Sequence, residues 1–137
     1  MRAWDSYLIA EETKDTKEVS KVVMINSDDK ILLLKRKENQ KFPGRWDLPG
    51  GHLKEKESGE EGLLREVKEE TNLNINEPSF LYRDGRHGFY KSYSWNGTLF
   101  ADAELPEHVA SQWFSLKEVA EMKNLSPRYL RAIKEAL

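Results

Sequence analysis

The segment that most restricts the fold is "GGHLKEKESGEEGLLREVKEETNL", residues 50–73, because it specifies both ends of a helix. Ser58 and Glu61 have the spacing of a capping box, in which two side chains satisfy free backbone amides at a helix start. Asn72 follows the last turn, where a left-handed residue is usual and Asn is second only to Gly. We therefore expect a helix between Ser58 and Asn72 that packs one side against the core. Its apolar side consists of Leu63, Leu64 and Val67.

Acidic side chains share a neighbouring arc of this helix. At about 100° per residue, Glu66, Glu69 and Glu70 lie within roughly 100° of one another, beside Gly59 and Gly62. Most acidic runs are solvated helix faces. Like charges at this spacing, however, destabilise a helix by a few tenths of a kcal/mol per pair, so helix stability gives no reason to cluster them. A bound Mg²⁺ gives a reason to gather them, since it takes oxygen ligands and shares its shell with water and phosphate. The "LPGG" sequence before the helix ends a predicted strand in two glycines, where a backbone carbonyl can join the ion.

The remaining elements alternate between strand-like and helix-like segments. We predict a hairpin of residues 19–26 and 30–36 around the turn "SDD", and a second hairpin of residues 89–95 and 98–103 around "NG". Shorter strands are expected at residues 79–83 and 112–114. Two helices close the chain, one with a capping box of Ser115 and Glu118, the other with Ser126 as N-cap and Pro127 at the first helical position.

Composition narrows the class of protein. With 137 residues and a net charge of −2, the chain suits one domain, residues 1–137, and disfavours general binding to nucleic acid or anionic membranes. It has no cysteine, which excludes disulfides and thiolate metal sites and is typical of a reducing compartment. The N-terminus fits neither a signal peptide nor a membrane span. We therefore expect a soluble, cytoplasmic protein.

Residues 51–73 resemble the signature of the Nudix hydrolases. The matching positions are Gly51, Glu57, Arg65, Glu66, Val67, Glu69, Glu70 and Leu73. Asn72 departs from the family's glycine, and since Asn tolerates the left-handed conformation we expect little cost. The sequences "ILLLKR", "WDLPGG" and "QWFSLKEV" extend the resemblance over residues 19–125. It implies an α/β fold, the α/β/α sandwich with a mixed β-sheet.

The resemblance also implies a reaction, the attack of water on phosphorus in a nucleoside diphosphate linked to another group. It makes Glu69 and Glu70 the central Mg²⁺ ligands, aided by the Gly50 carbonyl. Mn²⁺ is the expected substitute for Mg²⁺. Glu66 is then a further ligand or the base that activates water. Glu57 supports the metal shell or anchors Arg65, and Arg65 orients Glu66 or Glu69.

Further candidates lie outside the signature. Glu107 stands where family members place another carboxylate that reaches the metal or acts as base, with Glu104 as the competing choice. Side chains that can hold phosphates, stack on a base or touch the substrate are Arg36, Lys41, Arg45, Phe42, Trp46, Tyr90 and His52. Each of these cations also suits a solvated surface, and the aromatic residues also suit the core. His87 and His108 are expected at the surface.

Loops outside the signature determine substrate specificity. The short chain and "GRWDLPGG" resemble nucleoside triphosphate pyrophosphohydrolases, which is the first choice. Gly88 and Phe89 replace a proline typical of ADP-ribose pyrophosphatases, and Tyr90 is a weak sign of dinucleoside polyphosphate hydrolases. A nucleotide-binding regulatory module without catalysis is the alternative from another class, disfavoured because all signature carboxylates are present. Residues 1–18 are expected to add an edge strand around residues 7–9 or to form a homodimer interface.

Overall fold

A computed structural model describes residues 17–38 and 41–137. The predicted strand at residues 7–9 lies outside the described residues. In chain order the elements are β1 (Val19–Met24), β2 (Ile31–Arg36), β3 (Trp46–Asp47), β4 (Gly50–His52), α1 (Gly59–Thr71), β5 (Asn74–Asn76), β6 (Ser79–Asp84), β7 (His87–Ser92), β8 (Ser94–Asn96), a 3-10 turn (Asp102–Glu104), β9 (His108–Phe114), α2 (Leu116–Glu121) and α3 (Pro127–Ala136).

The strands form a mixed four-stranded sheet and two smaller ones. The large sheet has the order β4-β1-β7-β6, with β1 parallel to β7 and antiparallel to β4. A second sheet has the order β3-β2-β9, and β5 pairs with β8. Both larger sheets contribute residues to two hydrophobic cores.

Helices cover both faces of β1, which confirms the α/β sandwich with a mixed sheet. On one face, Val22 and Met24 share a core with Leu63 and Val67 of α1. On the other face, Val23 and Ile25 pack in a separate core. That second core includes Val119 of α2 and Ala132 and Ile133 of α3. Because successive strand residues point to opposite faces, a single buried strand supplies both cores.

The ends of α1 are as predicted. Ser58 and Glu61 form both hydrogen bonds of the capping box, and Asn72 has φ 70°, so it closes the helix in the left-handed conformation. The prediction for Leu64 was wrong, because 37% of its surface is exposed while its neighbour Leu63 is buried. Leu64 lies about 100° around the helix from Leu63, at the margin of the buried side.

The first predicted hairpin is wrong beyond its turn. Asn26 and Lys30 close the turn by a backbone hydrogen bond of 3.0 Å, and Ile25 forms an isolated bridge to Ile31. From there the strands diverge into different sheets, β1 between β4 and β7, and β2 between β3 and β9. Each has neighbours on both edges, which leaves no edge for a β1–β2 ladder.

The "NG" hairpin is also wrong. Asn96 ends β8, which pairs with β5, and residues 98–101 form no strand. Gly97 has φ 102°, and a side chain there would meet the Asn72 carbonyl at 2.8 Å, so the glycine serves close packing against the end of α1. The hairpin of this region instead joins β6 to β7 through Gly85. The short strand expected at residues 112–114 begins earlier, at His108.

The C-terminal helices have the predicted starts. Ser115 and Glu118 form a capping box, and Ser126 caps α3 with Pro127 at its start. The prediction that the "LPGG" glycines end a strand was wrong. Instead, Leu48 and Pro49 carry the chain from β3 in one sheet to β4 in the other, and Gly50 begins β4.

Candidate active site

Arg65 gathers the acidic side chains beside α1. Its Nε and Nη2 donate to the two carboxylate oxygens of Glu57 at 2.8 and 2.9 Å. Its Nη1 donates to Glu66 Oε1 at 2.9 Å and to Glu69 at 3.3 Å, while Nη2 also reaches the His52 carbonyl at 3.1 Å. The Arg65 hydrogen bonds are the largest cause of a Glu57 pKa lowered to about 2. One guanidinium thus offsets the repulsion between these carboxylates.

Glu70 is the buried carboxylate of the helix, with 4% of its surface exposed. Its Oε1 accepts a hydrogen bond from the Gly50 N–H at 2.8 Å. Burial raises the pKa of Glu70 to about 8, against the opposing effects of Lys21 and the Gly50 hydrogen bond. In the metal-free protein Glu70 is therefore mainly protonated at neutral pH, and a cation bound to it would displace the proton.

Two glycines allow the β4 backbone to approach these carboxylates. Gly50 has φ 128°, and a side chain there would collide with the Ser20 carbonyl. At Gly51 a Cβ atom would lie 2.6 Å from Glu66 Oε2. Glycine is therefore required at Gly50, while a side chain at Gly51 would displace the Glu66 carboxylate from its place beside the strand.

Asp47 on β3 is the centre of a buried ionic cluster. Its Oδ1 accepts from Arg45 Nε at 2.9 Å, and its Oδ2 accepts from Arg36 Nη1 at 3.0 Å. His108 Nε2 lies 3.4 Å from Oδ2. Burial alone would raise the pKa of Asp47, but the His108 hydrogen bond and the nearby charges of Arg45, Lys21 and Arg36 hold it well below its usual range. Asp47 is therefore ionised and fixes two cations in place.

His108 links this cluster to α1. Its Nδ1 lies 3.8 Å from Glu70 Oε2, too far for a hydrogen bond, while Nε2 faces Asp47. The side chain is buried, with 5% of the residue exposed, and Nδ1 has no hydrogen-bond partner among the described residues. The imidazole therefore stands between the buried carboxylate of β3 and that of α1.

Lys21 adds a buried ammonium group from β1. Its Nζ donates to the carbonyls of Leu48 at 3.1 Å and Gly50 at 3.0 Å. Burial acts to lower the pKa of Lys21, but electrostatic interactions with Tyr129, Asp47 and Glu70 outweigh it and raise the pKa overall. Lys21 is therefore a permanent cation inside the protein.

These groups surround a cavity of about 390 Å³. Its acidic lining consists of Asp47, Glu66, Glu70 and Glu107, and its basic lining of Lys21, Arg36, Lys41, Arg45 and Arg86. The lining also includes Gly50, Gly51, His52 and the aromatic residues Phe42 and Tyr129. Carboxylates suit a cation and the basic side chains suit phosphate oxygens, so the cavity is equipped for a metal and a phosphorylated ligand together.

The structure brings most of the predicted site residues together. Glu107 lines the cavity, whereas Glu104 lies in the exposed 3-10 turn and does not. Glu57 and Arg65 border an adjoining recess that shares Glu66 with the cavity, and Glu69 is exposed beside them. His52 lines both recesses, with its Nε2 3.2 Å from Arg86 Nη1.

Two predicted substrate contacts lie elsewhere. Trp46 packs edge-on against Phe114, with ring centroids 4.9 Å apart, and borders the core of α2 and α3. Tyr90 is buried in the core beneath α1, and a side chain at Gly59 would collide with its hydroxyl group. Gly62 is likewise covered, by Leu53 and Glu57. The helix glycines therefore serve packing, and neither aromatic ring lines the cavity.

The expectation that His87 and His108 lie at the surface was wrong. They are 1% and 5% exposed, and both line the cavity. Burial lowers the pKa of His87 to about 2, and Arg128 Nη1 lies 2.9 Å from its Nδ1. His87 is therefore neutral, and the nearby guanidinium favours the tautomer with the proton on Nε2.

The donor set fits a divalent cation, although the side chains do not form a finished metal site. Glu66, Glu70, Glu107 and the Gly50 backbone border one cavity and offer the oxygen ligands that Mg²⁺ prefers. Within residues 17–38 and 41–137, however, no three acidic or histidine side chains are grouped closely enough to hold an ion. Arg65 holds Glu66 and Glu69 instead.

Sequence reasoning missed Lys21 and Asp47. The available signal was a charged residue within a segment otherwise typical of a buried strand, "VSKVVM" for Lys21 and "WDL" for Asp47. A buried charge requires a partner or a function. Their partners come from distant parts of the chain, so only the fold identifies them.

Within the described part of the chain, none of the helices has the length and apolar character needed to cross a membrane.

Comparisons with known proteins agree on one family. A family profile described as the NUDIX domain matches residues 16–135. A putative 8-oxo-dGTP diphosphatase from Bacillus subtilis is 36% identical over 103 residues, covering 69% of this chain and 63% of the relative. An ADP-ribose pyrophosphatase from Methanocaldococcus jannaschii is 52% identical over 50 residues, which are 36% of this chain and 29% of the relative. The chain thus spans less than two thirds of the length of either relative.

A solved structure shows the same fold. The MutT NUDIX hydrolase from Burkholderia pseudomallei superposes with a TM-score of 0.75 at 22% identity, covering 90% of this chain and 100% of that one.

Proposed function

The chain belongs to the NUDIX family, and on that premise we propose that it is a Mg²⁺-dependent hydrolase that cleaves a phosphoric anhydride bond in nucleoside triphosphates. NUDIX hydrolases generally use a divalent metal, and Mn²⁺ is the expected substitute here. The observation that carries the proposal is the joint placement of Glu66, Glu70 and Glu107 with five basic side chains around one cavity.

The proposed hydrolysis has one bond-breaking step, and different groups in the cavity assist it. Water oxygen attacks one phosphorus, the bridging P–O bond breaks, and the bridging oxygen leaves on the other phosphate group. A bound divalent cation supplies charge neutralisation and a more acidic water. Arg36 and Arg45, oriented by Asp47, offer donors to the phosphate oxygens.

Glu66 is the base in this proposal. Its Oε1 is fixed by Arg65, and its Oε2 borders Gly51 in the cavity wall. The proton of the attacking water passes to this carboxylate. Glu107 lines the same cavity from an exposed loop and is the competing base.

A second substrate class is ADP-ribose and related nucleotide sugars or dinucleotides. The observation in its favour is the 52% identity over 50 residues with a relative named an ADP-ribose pyrophosphatase. Since that match covers only 36% of this chain, we place this class second.

The test is a substrate panel of nucleoside triphosphates, 8-oxo-dGTP, dinucleoside polyphosphates and ADP-ribose, assayed with Mg²⁺ and with a chelator. We expect Mg²⁺-dependent release of pyrophosphate and a nucleoside monophosphate, with Glu70→Gln, which removes a carboxylate from the cavity lining, as the inactive control. Turnover confined to ADP-ribose would select the second class. Nucleotide binding without turnover on the whole panel would instead indicate a regulatory binding module.

A further inference from the structure

Lys21 is an unusual residue for its position. It lies in the middle of β1, whose six residues are all buried, and only 8% of its surface is exposed. Lysine is almost never buried without a partner, because removing an ammonium group from water is costly. The strand would therefore be expected to carry an apolar residue here unless the charge has a use.

The strand register places this charge at the acidic side of the cavity. Lys21 is paired with Gly50 across the antiparallel β1–β4 ladder. Its Nζ donates to the Gly50 carbonyl at 3.0 Å, while the Gly50 N–H donates to Glu70. The ammonium group thus binds the same backbone unit that borders the proposed metal ligands.

The local contacts favour a charge that remains available to a ligand. The described hydrogen bonds of Nζ go to two carbonyls, those of Leu48 and Gly50, and an ammonium group has three donors. The Tyr129 ring centroid lies 5.8 Å from Nζ, and both residues line the cavity. Lys21 can therefore donate its third N–H to a bound anion while it keeps its hydrogen bonds to the two carbonyls.

We propose that Lys21 is a built-in cation that weakens binding of a free divalent ion beside Gly50 and pairs with diphosphate oxygens, so that metal and diphosphate bind together. This inference rests on the proposed function, since it concerns the same site. A fixed ammonium group repels a divalent ion that approaches the Gly50 carbonyl. An anionic diphosphate screens that repulsion, and each ligand then strengthens the binding of the other by the same factor.

The test measures binding rather than turnover. Mn²⁺ affinity is determined by electron paramagnetic resonance for the wild type, Lys21→Met and Lys21→Gln, with and without methylenediphosphonate, whose P–C–P bridge is not hydrolysed. Both variants should bind Mn²⁺ alone about tenfold more tightly than the wild type and the diphosphonate about tenfold more weakly. Lys21→Arg, which keeps the charge, should resemble the wild type. Lys117→Met changes the net charge equally at an exposed site on α2 and is the matched control.

Two results would overturn the inference. One is unchanged Mn²⁺ affinity in the neutral variants, and the other is unchanged diphosphonate affinity in them. If neither neutral variant folds, the wild type decides. Methylenediphosphonate must then tighten its Mn²⁺ binding by about tenfold or more after the Mn²⁺ bound by free diphosphonate is subtracted, and a smaller gain would overturn the inference. These readouts do not depend on activity, so a chain without turnover would refute the proposed function and leave this inference to be judged separately.

Discussion

Replacing Glu70 with Gln should stabilise the metal-free protein, and the gain should grow with pH. The substitution keeps the shape of the side chain and an oxygen that can accept the Gly50 N–H. It removes a carboxylate whose pKa rises from 4.5 to about 8 because it is buried. The folded protein holds the proton more tightly than the unfolded chain, so the free energy of unfolding falls as pH rises from the unfolded pKa towards the folded one.

The magnitude follows from the size of that shift. At 1.36 kcal/mol per pKa unit, the penalty is about 1 kcal/mol at pH 5 and about 3 kcal/mol at pH 7. It levels off above pH 8, where Glu70 is ionised in both states. Gln at this position carries no such penalty, so the stability difference between variant and wild type should increase by about 2 kcal/mol between pH 5 and pH 7.

Urea unfolding of both proteins at the two pH values, with a chelator present, measures this difference. Glu69→Gln is the matched control, since its carboxylate is more than half exposed and its replacement should change stability by less than about 0.5 kcal/mol at either pH. A Glu70→Gln effect that is equal at pH 5 and pH 7 would refute the reasoning, because it would show that burial does not hold the proton on Glu70.

Three further expectations concern catalysis and the buried cluster. Glu69→Gln tests the ligand role that the family signature implies for Glu69: it should lower Mg²⁺-dependent turnover by orders of magnitude and leave the circular dichroism spectrum unchanged, since the side chain is more than half exposed. Glu66→Gln should reduce turnover at saturating Mg²⁺ far more than Glu107→Gln, and the reverse order would move the base to the loop before β9. Asp47→Asn should lower the free energy of unfolding by about 3–5 kcal/mol in urea titrations, because two cations lose their buried partner, whereas a loss below about 1 kcal/mol would show that they are solvated.

The predictions that succeeded depend on short-range physics. The capping boxes at Ser58 and Ser115 and the left-handed Asn72 involve residues within one helical turn, so the local sequence contains the whole interaction. The signature residues on α1 likewise share one helix. Their relative directions follow from the helical period alone.

The predictions that failed depend on which strands meet. The run of residues 19–36 suits two strands joined by a turn, but whether they pair depends on β4, β7 and β9, which come later in the chain. His108 and Asp47 are buried beside each other because β9 and β3 flank β2. Single-sequence patterns contain no information about those neighbours, and so the buried cluster was not predicted.

The pairing of β1 also has a consequence for synthesis of the chain. Lys21 stands opposite Phe89 in the parallel ladder, so about half of the chain separates the partners. Contacts of such long range are slow to form, because a large loop must close before they contribute. At roughly 5–20 residues per second, a ribosome delivers β7 roughly 3–14 s after β1. A nascent chain that stalls before Ser92 therefore carries β1, a strand whose six residues are all buried in the folded protein, with an edge that is open to pairing with other chains.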